Sequence, residues 1–170
     1  MGAACAHQLA QHGTHPTLTN STNLEAMNAL VADLRSQYAE DHLILSIHEV
    51  DGVVEHIKSQ KRGWTMFMSS IAAYGGGIYG CHYAASKGGP TGMMKYLSTR
   101  LAKYNITVND VAPAMIGDTG VVLSTTAIAG VRSIIPLFRL GTPEETANVV
   151  TMLKTGYMTG QSLLLAGWLK

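Results

Sequence analysis

Charge is scarce in this sequence. Only 14% of its 170 residues are acidic or basic, and 12 cations against 11 acids leave a formal net charge of +1. Such a balance gives no electrostatic footprint for a polyanion, so nucleic acid is not an expected partner. The 46% hydrophobic content excludes a disordered chain and leaves a soluble globular protein. Cysteine is almost absent. Cys5 and Cys81 alone cannot make a disulfide framework, which suits a reducing compartment and predicts a cytoplasmic location. No apolar run approaches the roughly 20 residues that span a bilayer. The first residues lack the charged stretch and apolar core of a signal peptide. Repeats, low-complexity tracts and linkers are also missing, so residues 1–170 read as one domain.

What is present is an alternation of strand-like and helix-like segments. Gly2 to His12 is an alanine-rich helix ended by Gly13, and His15 to Asn20 alternates like a strand. Leu24 to Tyr38 follows as an amphipathic helix with Asn23 as N-cap and Leu24, Met27, Leu30, Val31 and Leu34 on one stripe. His42 to Val50 reads as a strand closing on Asp51, and Gly52 to Gln60 as a short helical piece whose basic end runs into a turn at Lys61-Arg62-Gly63. Trp64 to Met68 reads as a buried strand. A helix running to about Tyr104 carries Met93, Met94 and Leu97 as a packing stripe, and Ile106 to Ala112 is the next strand. Pro113 to Ile135 is looser, a substrate-side lid. Pro143 opens a helix with acids just inside it, and Ser162 to Leu165 is the last strand. This order predicts an α/β fold, a parallel sheet with helices on both faces and ligands at the carboxyl ends of its strands.

The chemistry concentrates in Met68 to Lys87, MSSIAAYGGGIYGCHYAASK. Tyr83 and Lys87 lie four apart, so on a helix they share a face about 5–6 Å apart at Cβ. An ammonium beside a phenol favours the phenolate, which equips the pair to give or take a proton. Ser70 lies thirteen positions before Tyr83, with Gly75-Gly76-Gly77 between them to bring its hydroxyl back. A plain alternative makes Tyr83 and Lys87 a solvated helix pair and Ser70 a strand-end cap. Cys5, His7, His12 and His15 cluster in sequence but point in different directions on a helix, so no metal site is expected. His82 points off the Tyr83 face and is expected to be a surface or capping residue. Pro90 falls inside the helix, where proline removes a hydrogen bond and favours a kink that would re-aim Lys87.

Together these residues resemble the active-site segment of the short-chain dehydrogenase/reductase family: a serine after a strand, a glycine-containing loop, then Tyr-x-x-x-Lys opening a helix. The resemblance extends over nearly the whole chain and is nearest to 3-oxoacyl-acyl-carrier-protein reductases. It implies Ser70, Tyr83 and Lys87 as catalytic residues, with Tyr83 and Lys87 also touching the cofactor. Gly2 resembles the last glycine of the family's phosphate turn, and Asp51 the aspartate near the adenine. Pro113 and Ile116 resemble the segment facing the nicotinamide, and Thr119 the threonine after it. Arg139 to Glu145 and Tyr157 to Gln161 resemble the C-terminal signature. After the second strand the chain offers Asn20, Ser21 and Thr22 with no carboxylate, which suits a 2′-phosphate and so NADP(H) over NAD(H).

The same resemblance implies an incomplete Rossmann-like doubly wound parallel sheet. The family's first strand would precede Met1, and its fourth would fall between Asp51 and Gly52, where about 60 residues (two strand–helix steps) have no counterpart. Two half-sheets then remain, although Gly52 to Gly63 is just long enough for a crossover that would join them. The implied function is reduction of a ketone or 3-oxoacyl group to an alcohol, on a small-molecule substrate and in a homo-oligomer. The alternative is a truncated, catalytically inactive relative that does not bind the dinucleotide.

Overall fold

The computed structural model describes residues 2–11, 17–19, 24–37, 45–47, 57–75, 80–119, 130 and 132–169. Its elements are α1 (Gly2–Gln11), β1 (Thr17–Thr19), α2 (Leu24–Gln37), β2 (Leu45–Ile47), β3 (Gly63–Met68), α3 (Ala72–Gly75), α4 (Cys81–Leu101), β4 (Ile106–Pro113), α5 (Pro143–Met152) and β5 (Ser162–Leu165). The order of helices and strands is the one the sequence predicts, except that α3 was not expected and that residues 52–56 of the predicted piece Gly52 to Gln60 lie outside the described residues, 57–60 being helical. The two strands near the N-terminus are described at Thr17–Thr19 and Leu45–Ile47, inside the expected ranges, and the last helix passes into a tighter turn after Met152.

All pairing is parallel, in two separate ladders. β1 pairs with β2, and β3, β4 and β5 form a three-stranded sheet in that order. Among the described residues no ladder joins β1 or β2 to β3, so the half-sheets anticipated from the sequence stay apart.

β4 is buried along its whole length, because helices cover both of its faces. On one face Met94 and Leu101 of α4 pack on Ile106 and Val108, with Phe67 beside them. On the other, Cys5 of α1 and Ala147, Val150 and Leu153 of the α5 region pack on Val111, with Met66, Met68 and Leu163 around them. α2 lies outside α1, where Leu34 closes over Ala6 and Ala10. Met93 departs from its expected place in the packing stripe. It is exposed while Met94 is fully buried, since residues adjacent on a helix cannot both face the sheet.

Polar side chains in the core are used to hold loops. Asn109 is 1% exposed; its Nδ2 donates to the Met158 carbonyl at 2.7 Å and its Oδ1 accepts from the Gln161 amide at 3.1 Å. Those two bonds fasten the approach to β5 onto β4. Gly160 in that loop has a φ of +71°, which strains any side chain there, and a Cβ would also crowd Ser98 Oγ at 3.1 Å. The start of α5 is a capping box. Thr142 Oγ1 accepts from the Glu145 amide, Glu145 Oε2 accepts from the Thr142 amide, and Pro143 occupies the first turn.

Candidate functional site

Three strands end together at the carboxyl edge of the larger sheet. The Ser69 amide donates to the Val111 carbonyl at 2.9 Å and the Ile71 amide to the Pro113 carbonyl at 3.1 Å. The Ala114 amide donates to Leu165 at 2.9 Å. Ser70 therefore sits at the tip of β3, level with the end of β4. It is buried, and its Oγ accepts from the Ala72 amide at 3.2 Å, which starts the short helix α3. α3 ends at Gly75, and Gly76 and Gly77 of the glycine loop lie outside the described residues.

α4 begins at Cys81 behind Gly80, whose φ of +83° suits glycine at the turn into a helix. Tyr83 and Lys87 lie in its first two turns, both half-buried, and the Lys87 ammonium stands 5.8 Å from the centre of the Tyr83 ring. The shared face expected from the four-residue spacing is present. His82 is exposed beside them, as expected.

The height of the pair above the sheet follows from the packing. α4 runs antiparallel to β4, with Leu101 against Ile106 at one end and Thr91 bonded to Asp110 further along. Tyr83 is eight residues before Thr91, which puts it about 12 Å further toward the carboxyl edge. Ser70 lies about 7–10 Å beyond Asp110 in the same direction, because β3 and β4 pair in register Met68 to Val111. Serine and tyrosine thus occupy the same end of the sheet at nearly the same height. The kink expected at Pro90 does not break this placement. The helix continues through Pro90 from Cys81 to Leu101, and beyond the proline Met94 and Leu101 pack on β4.

Pro113 is buried at the end of β4 and Ile116 is 3% exposed just beyond it. Ile116 bridges to Gly141, through Gly117 amide to Gly141 carbonyl at 2.9 Å and Gly141 amide to Met115 carbonyl at 3.0 Å. A Cβ on Gly141 would come within 2.6 Å of Ile116 Cδ1, so a larger residue there would push the Ile116 side chain aside. Thr119 donates from Oγ1 to the Ile116 carbonyl at 2.9 Å. These residues gather at the same carboxyl edge as Ser70. Gly2 is the first residue of α1. Asn20, Ser21, Thr22 and Asp51 lie outside the described residues, as do His12 and His15.

A cavity of about 60 Å³ lined by Met115, Ile135, Leu137, Gly141, Leu165 and Gly167 lies nearby but does not include Ser70, Tyr83 or Lys87. Ligand pockets measure about 300–1,000 Å³, so it is too small to be the site itself. Cys5 is buried and its thiol is pushed up by that burial, while His7 Nε2 lies 3.2 Å from Asp33 Oδ2. Among the described residues no three of His, Cys, Asp or Glu converge, and no helix is long and apolar enough to cross a membrane.

Sequence reasoning passed over Thr91 and Asp110. A carboxylate inside the strand ITVNDVAP, and a hydroxyl one turn beyond Lys87, were the available signals.

A family model described as enoyl-(acyl carrier protein) reductase matches residues 44–167. The 3-oxoacyl-[acyl-carrier-protein] reductase FabG of Aggregatibacter actinomycetemcomitans is 37% identical over 116 residues, covering 66% of this chain and 48% of that protein. The protein of the same name from Chlamydia pneumoniae is 31% identical over 168 residues, covering 95% of this chain and 68% of its own length. The chain spans about half the length of the first of these curated relatives. A crystal structure of 3-oxoacyl-[acyl-carrier protein] reductase from Brucella melitensis superposes with a TM-score of 0.81 at 21% identity, over 99% of this chain and 86% of that one. That likeness shows the partial Rossmann-like fold. With most of its length matched by the family model and its sheet built on the same plan, the chain belongs to the short-chain dehydrogenase/reductase family.

Proposed function

We propose that this chain is an NADP(H)-dependent oxidoreductase that reduces a ketone or 3-oxoacyl group to an alcohol, with Ser70, Tyr83 and Lys87 as its catalytic residues. The observation that carries the reading is the Lys87 ammonium against the Tyr83 ring, on a helix whose first turns reach the height of Ser70. The relatives' names, 3-oxoacyl-[acyl-carrier-protein] reductase and carbonyl reductase family member 4, support the carbonyl class of small-molecule substrate.

The donor set fits the nicotinamide half of the cofactor. Tyr83 and Lys87 offer donors for ribose hydroxyls at the edge where Pro113, Ile116 and Thr119 gather. Gly2, at the N-terminus of α1, suits a pyrophosphate. By sequence pattern, Asp51 belongs beside the adenine and Asn20, Ser21 and Thr22 beside a 2′-phosphate.

When bound, NADPH supplies the hydride that reduces the carbonyl carbon. The Ser70 hydroxyl donates a hydrogen bond to the carbonyl oxygen and orients it. Tyr83 gives its phenolic proton to that oxygen as negative charge builds, so hydride and proton together complete the alcohol. The Lys87 charge stabilises the phenolate left behind. By the family pattern the working unit is a homo-oligomer.

A second reading, a non-catalytic relative that does not bind the dinucleotide, is favoured by the two unjoined ladders. Titration with NADPH, followed by its fluorescence, separates the two. Saturable binding at micromolar levels, with turnover of a 3-oxoacyl thioester that Tyr83→Phe removes, supports the enzyme. Absence of binding by a chain shown to be folded overturns it.

A further inference from the structure

α4 is helical through a stretch with poor helix-forming residues. Gly88, Gly89, Pro90 and Gly92 occupy four of five consecutive positions directly after Lys87. The fifth is Thr91. Its Oγ1 donates to Asp110 Oδ2 at 2.7 Å, with both residues buried at 9% and 0% exposure. Ser86, Ser98 and Thr99 instead bond back to carbonyls of their own helix and tie it to nothing else.

Asp110 is costly where it stands. Its other oxygen, Oδ1, is buried without a hydrogen-bond partner, and so is the hydroxyl of Ser162, the residue paired with Asp110 on β5. A hydrophobic residue at this point of a fully buried strand would serve stability better. What the carboxylate does provide is an acceptor under the weakest part of α4.

We infer that Thr91 and Asp110 form a clamp that sets how far α4 lies along β4 and thereby positions Tyr83 and Lys87 at the carboxyl edge. Tyr83, Lys87 and Thr91 follow one another at four-residue steps, so a bond at Thr91 fixes the rotation of the face that carries the other two. Asp110 and Thr91 are positioning residues, acting through α4. The catalytic consequence rests on the reductase reading; the structural one does not.

The test uses the full chain with Thr91→Val, which keeps the branched shape and removes the donor, and Thr91→Ser, which keeps the donor. Hydrogen exchange is read by mass spectrometry, and ketone reduction by NADPH oxidation. In Thr91→Val, amides 83–92 are expected to exchange at least about tenfold faster while those of β4 and α5 are unchanged. In the same variant kcat falls about 10–100-fold with KM for the carbonyl within about twofold, because the misplaced pair still lets substrate bind. Thr91→Ser restores both readouts. Unchanged exchange at 83–92, or faster exchange spread equally over β4 and α5, overturns the clamp. Local loosening with undiminished kcat overturns the positioning role. If the wild-type chain reduces no carbonyl while Thr91→Val still loosens only 83–92, the clamp stands and the reductase reading falls.

Discussion

Replacing Gly88, Gly89 and Pro90 together by alanine is expected to stabilise the protein by about 3–4 kcal/mol. A glycine inside a helix is about 0.5–1 kcal/mol worse than alanine, through the freedom it loses on folding. A Cβ at Gly88 or Gly89 meets nothing within 4 Å, so both gains are available without a clash. An interior proline costs about 3 kcal/mol relative to alanine. The return here is smaller, for two reasons. The carbonyl deprived of its amide belongs to Ser86, which is exposed, so water satisfies it in part. Alanine also frees the unfolded chain, which proline had restricted by about 0.4–1 kcal/mol. About 2 kcal/mol remains for Pro90→Ala. The assay is equilibrium unfolding in urea followed by far-ultraviolet circular dichroism. With a slope of about 2 kcal/mol per molar, the midpoint of the triple variant rises by about 1.5–2 M. A midpoint that stays put or falls would show that the half-buried Pro90 ring is needed for packing, and would refute the reasoning.

Other outcomes follow from the same structure. Asp110→Asn keeps an acceptor for Thr91 and removes a fully buried carboxylate with one unpartnered oxygen, so stability rises by about 1–3 kcal/mol in the same assay; a loss would sink this account of the cluster. Leu153→Ala empties a fully buried position beside Val111 and Val150 and costs about 2–5 kcal/mol, read as a lower urea midpoint. The Glu145 carboxyl is lowered from 4.5 to about 2, first by its hydrogen bonds from Arg139 and then by the Thr142 amide. A depressed carboxylate stabilises the fold fully above pH 4.5 and loses that contribution as pH falls toward 2. The midpoint difference between wild type and Glu145→Gln should therefore shrink across that window. The effect is small because the pair is exposed, and a difference that is flat with pH would contradict it.

Much of this was legible before any coordinates. Helix and strand periods gave the element order, and Pro143 with the acids after it announced its own helix start, because proline and acids favour a first turn locally. The four-residue step from Tyr83 to Lys87 fixed their shared face for the same reason. Pro90 does not end the helix: it removes one local hydrogen bond, while Met94 and Leu101 beyond it pack on β4. Met93 misled, since a stripe read by spacing alone does not say which of two adjacent methionines faces the sheet.

The sequence by itself determined the alternating α/β order, the Ser70, Tyr83 and Lys87 spacing and the family, since each depends on neighbours within a few residues or on a recognisable string of them. Tertiary structure alone decided that, among the described residues, no ladder joins β1 or β2 to β3, that Ser70 and the start of α4 lie at the same end of the larger sheet, and that Asp110 lies under Thr91. Those facts depend on which strand register and helix position bury the most apolar surface. That is a property of the whole packed chain, which no local stretch carries.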